Sequence, residues 1–128
     1  MYAIDLTGIG VWIESNMQGI AEKVFIDKIP KALPTNLETY IYITTGGRVM
    51  DYGAFKRLSA TINVVAKDRQ PGYANKTEIN RMVNEVLTKL PLRDDEKGWV
   101  ASMPSVQPSS TITGFSYASV TVTIRINK

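Results

Sequence analysis

Arg57-Leu58-Ser59-Ala60-Thr61-Ile62-Asn63-Val64-Val65-Ala66-Lys67 sets Leu58, Ala60, Ile62, Val64 and Ala66 at every second position, with Arg57, Ser59, Thr61, Asn63, Val65 and Lys67 between them. Successive side chains of a strand point to opposite sides of a sheet. The run therefore has one apolar face and one largely polar face with basic ends, the pattern of a half-buried antiparallel strand. Leu58, Ile62 and Val64 each stabilise by roughly 1.5 to 3 kcal/mol on full burial, so the apolar face needs a cover. Residues 79–90 supply one: Ile79, Met82, Val83, Val86, Leu87 and Leu90 recur at three and four, as on an amphipathic helix.

Working outward toward the N-terminus, residues 39–45 read as a strand, with Tyr40, Ile41, Tyr42 and Ile43 apolar on both faces and Gly46-Gly47 closing it. This strand is expected to pair with residues 57–67. The stretch between them, 46–55, exceeds a tight hairpin loop and carries Arg48, Met50, Asp51 and Tyr52, so it reads as a projecting arm or flap. Ahead of it, Val24-Phe25-Ile26 is β-branched and aromatic and reads as a short strand ending near Lys28, before Pro30 and Pro34. Ile9, Trp12, Ile13, Met17, Ile20 and Ala21 share one face of a helix over 8–22, with Thr7 as its N-cap.

Toward the C-terminus, Arg69-Gln70-Pro71-Gly72 is a turn by its Pro-Gly pair. Asn75 with Glu78 resembles a capping box that starts the second helix, and Pro91 stops that helix. Asp94-Asp95-Glu96-Lys97 reads as a solvated turn and Trp99 to Met103 as a short strand. Pro104, Pro108, Ser109 and Ser110 then mark an excursion over 104–114. In the last strand Ala118, Val120, Val122, Ile124 and Ile126 alternate with Tyr117, Ser119, Thr121, Thr123 and Arg125. The expected fold is one α+β domain over 1–128, mainly an antiparallel sheet of four to five strands with two helices packed on it, in the order α-β-β-β-α-β-β.

Composition narrows the chemistry. The 128 residues contain no cysteine and no histidine. Disulfides, thiolate and imidazole metal ligands, Cys-His and Ser-His nucleophile pairs and the commonest neutral-pH general base are thereby excluded. The formal charge is only +3, a balance that permits an acidic partner without requiring nucleic acid. Met1 to Asp5 has no basic n-region and Glu14 interrupts the following apolar run, which argues against a signal peptide. The uncharged stretch 98–124 is too rich in Ser, Thr, Pro and Gln for a membrane span.

Several candidate sites have simple structural readings. Gly46-Gly47-Arg48 lacks the Gly-Lys-Ser/Thr ending of a phosphate loop and reads as a turn. Asp94, Asp95 and Glu96 lack the spaced ligands of a calcium loop. Lys56, Arg57, Lys67 and Arg69 with Tyr52 and Phe55 outline a basic, aromatic single-strand surface, although aromatics that precede the strand fit ordinary strand-end charges better. Trp12 and Trp99 read as core or interface anchors. Tyr117, Ser119, Thr121 and Thr123 form an uncharged strand flank where Lys, Pro or a bulge would normally protect an edge, so a neighbour is expected to cover it.

The element order, together with Lys23-Val24-Phe25-Ile26-Asp27-Lys28-Ile29-Pro30 and the strand Tyr40 to Thr45 that follows a Pro-containing loop, resembles the tail terminator (tail completion) proteins of tailed bacteriophages. The resemblance spans nearly the whole chain and lies in pattern and length. The 46–55 arm and the 104–114 excursion look longer than the usual loops of that family. It implies a non-enzymatic structural subunit of the virion, assembled in the host cytoplasm, without catalytic residue, cofactor or metal. Such subunits form a ring, six-fold by the resemblance with twelve-fold as the variant, between the tail tube and head-completion or portal-side connector proteins. DNA passes through the ring without sequence-specific binding. On that reading Arg48, Met50 and Tyr52 of the arm and Tyr117, Ser119, Thr121 and Thr123 of the last strand are interface residues. The alternatives are a small nucleic-acid-binding module using basic strand ends, an enzyme working through Asp, Glu, Lys or Tyr, and an unassigned interaction domain.

Overall fold

The computed structural model describes residues 4–27, 37–69, 75–112 and 114–127. The expected Pro30/Pro34 loop and the Gln70-Pro71-Gly72 turn lie outside them. Helix α1 (Leu6–Met17) is followed by β1 (Lys23–Ile26), β2 (Thr39–Asp51), β3 (Phe55–Lys67), α2 (Lys76–Lys89), β4 (Leu92–Asp94), β5 (Trp99–Ile112) and β6 (Phe115–Asn127). The class is α+β as expected. The sheet has six strands in the order β1-β2-β3-β6-β5-β4, more than the four to five expected. The additional strand is β4, three residues paired with β5 from Leu92↔Ala101 to Asp94↔Trp99. So short a strand carries no alternation to read.

β3 is the interior strand that its alternation requires. It pairs with β2 on one side and over its whole length with β6 on the other, from Phe55↔Asn127 to Lys67↔Phe115. β1 joins β2 in parallel, and the other ladders are antiparallel. Leu58, Ala60, Ile62 and Val64 share one buried core with Ile41 and Ile43 of β2 and Val120, Val122 and Ile124 of β6. Both helices cover this face: α1 contributes Ile9, Ile13 and Met17, and α2 contributes Ile79, Met82 and Val86. Trp12 meets Trp99 with ring centroids 5.5 Å apart and planes at 56°, tying α1 to β5. Trp99 belongs to the buried core, and Trp12 packs against it partly buried.

Helix ends differ from the sequence reading in α1 and agree in α2. Asp5 caps α1, its Oδ1 accepting from the Gly8 N–H at 2.9 Å, so Thr7 lies inside the first turn. The helix stops at Met17 and does not continue to residue 22. Gln18 is extended and Gly19 takes φ +87°, a left-handed backbone that glycine adopts without a side-chain clash. Asn75 caps α2, accepting from the Glu78 N–H at 3.4 Å, and the helix ends ahead of Pro91.

Both expected excursions are hairpins. Residues 46–51 continue β2 down to Met50↔Arg57 and Asp51↔Lys56, and the turn closes with the Tyr52 N–H donating to the Phe55 carbonyl at 2.9 Å. Residues 104–112 continue β5 against β6, down to Ile112↔Phe115. Pro104 and Pro108 are accommodated because each falls within a register shift, between Ser102 and Ser105 and between Gln107 and Ser110. A bulge leaves a residue without a ladder bond, and proline has no N–H to lose.

Candidate functional site

The face of the sheet turned away from the helices carries the sequence-predicted residues, and it divides into three zones. At one end Leu37, Tyr40 and Val65 are buried, with Phe25, Tyr42, Phe115 and Tyr117 packed around them. Tyr40 touches Phe25 and Phe115 edge-on, at 5.7 and 6.0 Å between centroids. Burial raises the Tyr40 pKa above its ordinary value, because the phenolate loses hydration there. The centre is polar: Ser119 donates to Asn63 Oδ1 at 2.6 Å, and the Thr61 and Thr121 hydroxyls lie 3.4 Å apart.

The expectation that Tyr117, Ser119, Thr121 and Thr123 line an edge is therefore corrected. β6 lies between β3 and β5, so its backbone groups are paired on both sides. Tyr117 belongs to an aromatic cluster of its own chain, and Ser119 and Thr121 meet β3 side chains. Thr123 faces Ser59 across the ladder. The uncharged edge lies one strand further out. β4 covers β5 only from Trp99 to Ala101, and among the described residues nothing pairs with the outer side of 103–112. Met103 is 71% exposed and Val106 45%.

The other end of the open face is basic and aromatic. In β2 residues 47–49 lie opposite Leu58 alone, because the register passes from Gly46↔Ser59 to Met50↔Arg57. Arg48 and Val49 stand exposed on this bulge. Tyr52 and Phe55 stack at 4.9 Å. The Arg57 guanidinium lies 5.2 Å from the Tyr52 ring centroid and donates to its hydroxyl at 2.9 Å, with Met50 Sδ 3.8 Å from the same nitrogen. Arg125 lies 3.9 Å from the Phe55 centroid and donates from Nε to Asn127 Oδ1 at 2.8 Å. The structure thus gathers Met50, Tyr52, Phe55 and Arg57 from the sequence-predicted residues and adds Arg125, with Arg48 on the neighbouring bulge.

The sequence-predicted basic set does not stay together. Lys67 and Arg69 are at the far end of β3, roughly 33 Å from Arg57 at strand pitch. Arg125 was the omission. Its parity with Thr123 was readable, but its approach to Phe55 depends on the β3–β6 register.

A cleft of about 430 Å³ between α2 and the segment after α1 includes Gly19, Ile20, Thr39, Asn75, Glu78 and Arg81 in its lining. Its cation is already engaged. Arg81 bonds to Glu78, to Glu85 at 2.9 Å and to the Ile20 carbonyl at 2.9 Å. The Glu78 hydrogen bond is the largest cause of the upward shift in the Arg81 pKa. This is a clasp joining α2 to the α1–β1 connection. Among the described residues no group of three or more Asp, Glu, His or Cys side chains is placed to hold a metal ion, and no helix is long and apolar enough to cross a membrane.

No protein-family model matches the chain, and no curated protein matches it either. The fold does recur among solved structures, with 26 matching chains. One of them, for which no function is stated, superposes with a TM-score of 0.58 over 94% of this chain and 88% of its own, at 11% sequence identity. At that identity the likeness concerns the fold alone.

Proposed function

We propose that this chain is a structural subunit of a tailed-bacteriophage virion, forming a closed ring at the tail-to-head joint that terminates or completes the tail and connects it to the neck. The observation that carries the reading is a pair of separate groups of exposed apolar side chains, one on the β2–β3 hairpin and one on β5. Val49, Met50 and Tyr52 are 39%, 40% and 47% exposed on the β2–β3 hairpin, while Met103 and Val106 stand on the unpaired stretch of β5. Two unlike patches suit a head-to-tail contact, which closes into a ring when its rotation divides a full circle. The whole-chain resemblance described above supports the same assembly.

The mechanism is geometric. Each subunit covers its neighbour's apolar patch, a specific contact burying on the order of 1,200 Å² or more in total. Six subunits, or twelve, close the ring around the path of the DNA. One ring surface meets the tail tube and the other meets the head-completion or portal-side protein, with no catalytic step.

The test is imaging of assembled particles together with Met103→Asp and Val106→Asp, which place charge on the exposed β5 edge and leave the core untouched. The expected outcome is a ring of this chain at the tail joint in wild-type particles and unjoined tails in the variants, with an unchanged circular dichroism spectrum. Absence of the chain from particles, or its presence there only as isolated single copies, refutes the reading.

A further inference from the structure

Arg57 and Arg125 are direct register partners across β3 and β6. Like charges placed opposite one another on a sheet destabilise it, and a carboxylate between them is the ordinary remedy. Here none is present: among the described residues neither Arg57, Arg125 nor Arg48 forms an ion pair. The two guanidiniums are instead held by rings, Arg57 over Tyr52 at 5.2 Å and Arg125 over Phe55 at 3.9 Å, with the rings stacked on each other at 4.9 Å. Among the described residues Arg125 hydrogen-bonds only through Nε, to Asn127, which leaves its two terminal nitrogens for a ligand. Among the described residues of the hairpin and the facing end of β6, Arg48, Arg57 and Arg125 stand near one carboxylate, Asp51. That carboxylate accepts from the Gly53 N–H at 2.8 Å within the turn. Asp94, in β4, and Asp95 and Glu96, in the turn after it, are separated from β3 by two intervening strands, β6 and β5.

We infer that this end of the sheet, centred on Arg57 and Arg125 with Arg48 beside them, binds the phosphodiester backbone of nucleic acid without reading its bases. The two cations are held by different rings, Arg57 by Tyr52 and Arg125 by Phe55, which gives two anchor points rather than one. A chain carrying a negative charge at every unit can meet both. The two rings already pack on each other and on the two guanidiniums of their own chain, so they are engaged within the fold rather than presented as a platform for bases. Contact is therefore with phosphates, it is electrostatic, and it extends to single and double strands alike. The site shares its hairpin with the Val49, Met50 and Tyr52 patch proposed above as a subunit contact, so binding is measured on the unassembled folded chain and does not rest on that reading.

The experiment is fluorescence anisotropy of the full chain with labelled oligothymidylate and oligoadenylate of about twenty nucleotides and a mixed-sequence duplex of similar length, across a salt series. Wild type is expected to bind all three, with log affinity falling linearly against log salt. The double substitution Arg57→Gln and Arg125→Gln should reduce the single-strand salt slope by about 1.4 and weaken low-salt binding about tenfold or more. The Arg57→Lys and Arg125→Lys pair should keep the slope. Lys67→Gln with Arg69→Gln, at the far end of β3, should change nothing.

Circular dichroism checks that the double variant is folded. If it is not, Arg48→Gln decides, because Arg48 is exposed and forms no ion pair among the described residues; its expected loss of slope is about 0.7. The inference is overturned by any of four results: no binding by wild type, an unchanged slope in the deciding variant, an equal loss on removing Lys67 and Arg69, or an oligothymidylate–oligoadenylate preference of about tenfold. Polyglutamate that competes as well as oligothymidylate also overturns it, by assigning the patch to an acidic protein.

Discussion

Met82→Ala probes the contact on which the fold depends. Met82 is fully buried in the middle of α2, within the core that the helix shares with β3 and β6. Truncating it removes apolar contact and leaves a cavity that the flanking strands fill only in part, at a cost of about 2 to 5 kcal/mol. Alanine is a slightly better helix former than methionine, so helix propensity acts in the opposite direction and any loss belongs to packing. A domain of this size has a total stability of about 5 to 15 kcal/mol, so the substitution removes a large share. In urea, with a slope of about 1 to 3 kcal/mol per molar, the midpoint should fall by about 1 to 2 M at unchanged slope. The assay is equilibrium unfolding followed by far-ultraviolet circular dichroism. Leu87→Ala on the same helix is the internal comparison: Leu87 is only half-buried against the core, so its loss should be about 1 to 2 kcal/mol. A Met82→Ala midpoint equal to wild type, or a Leu87→Ala loss larger than that of Met82→Ala, refutes the packing described.

Other substitutions test separate features. Gly98 has φ +74°, and an added Cβ would lie 2.9 Å from the Asn127 carbonyl oxygen; Gly98→Ala should therefore cost about 1 to 3 kcal/mol, read as a lower melting temperature. Arg81→Met removes the clasp on the Ile20 carbonyl, but the side chain is 42% exposed, so solvent screening limits the loss to about 1 kcal/mol in the same assay. The raised Tyr40 pKa makes the folded state hold its proton longer than the unfolded chain does. That stability is fully present below the unfolded tyrosine value, about 10, and declines as pH rises above it. Tyr40→Phe should flatten this alkaline decline, and an identical decline in both proteins counts against the burial effect.

What could be read directly was whatever depends on local periodicity. The alternation in residues 57–67 and 117–126 identifies two strands, and the three-four spacing of Ile79, Met82, Val86 and Leu90 identifies α2. Asn75 with Glu78 identifies its cap. These patterns report which side of an element faces the core, because burial acts on each side chain separately. Errors arose where punctuation residues were read without their partners. Pro104 and Pro108 suggested a loop, yet β6 accommodates each at a bulge. Gly46 and Gly47 suggested the end of a strand, yet β2 resumes its ladder at Met50↔Arg57. A proline or glycine limits what its own backbone can do, but a bulge exists only in relation to the strand opposite.

The local sequence thus determined the α+β class, the apolar faces of β3, β6 and α2, and the absence of histidine and cysteine chemistry. Tertiary structure alone decided strand order, and with it which uncharged strand is an edge. The alternation of β6 is the same whether that strand lies at the border or in the centre of the sheet, since side-chain period is a property of one strand and neighbour identity is not. Pairing with both β3 and β5 encloses Tyr117, Ser119, Thr121 and Thr123 and leaves Met103 and Val106 on the open border. The same register brings Arg125, sixty-eight positions along the chain, opposite Arg57. Two arginines so far apart in sequence become one site only because antiparallel pairing from Phe55↔Asn127 to Lys67↔Phe115 sets them face to face.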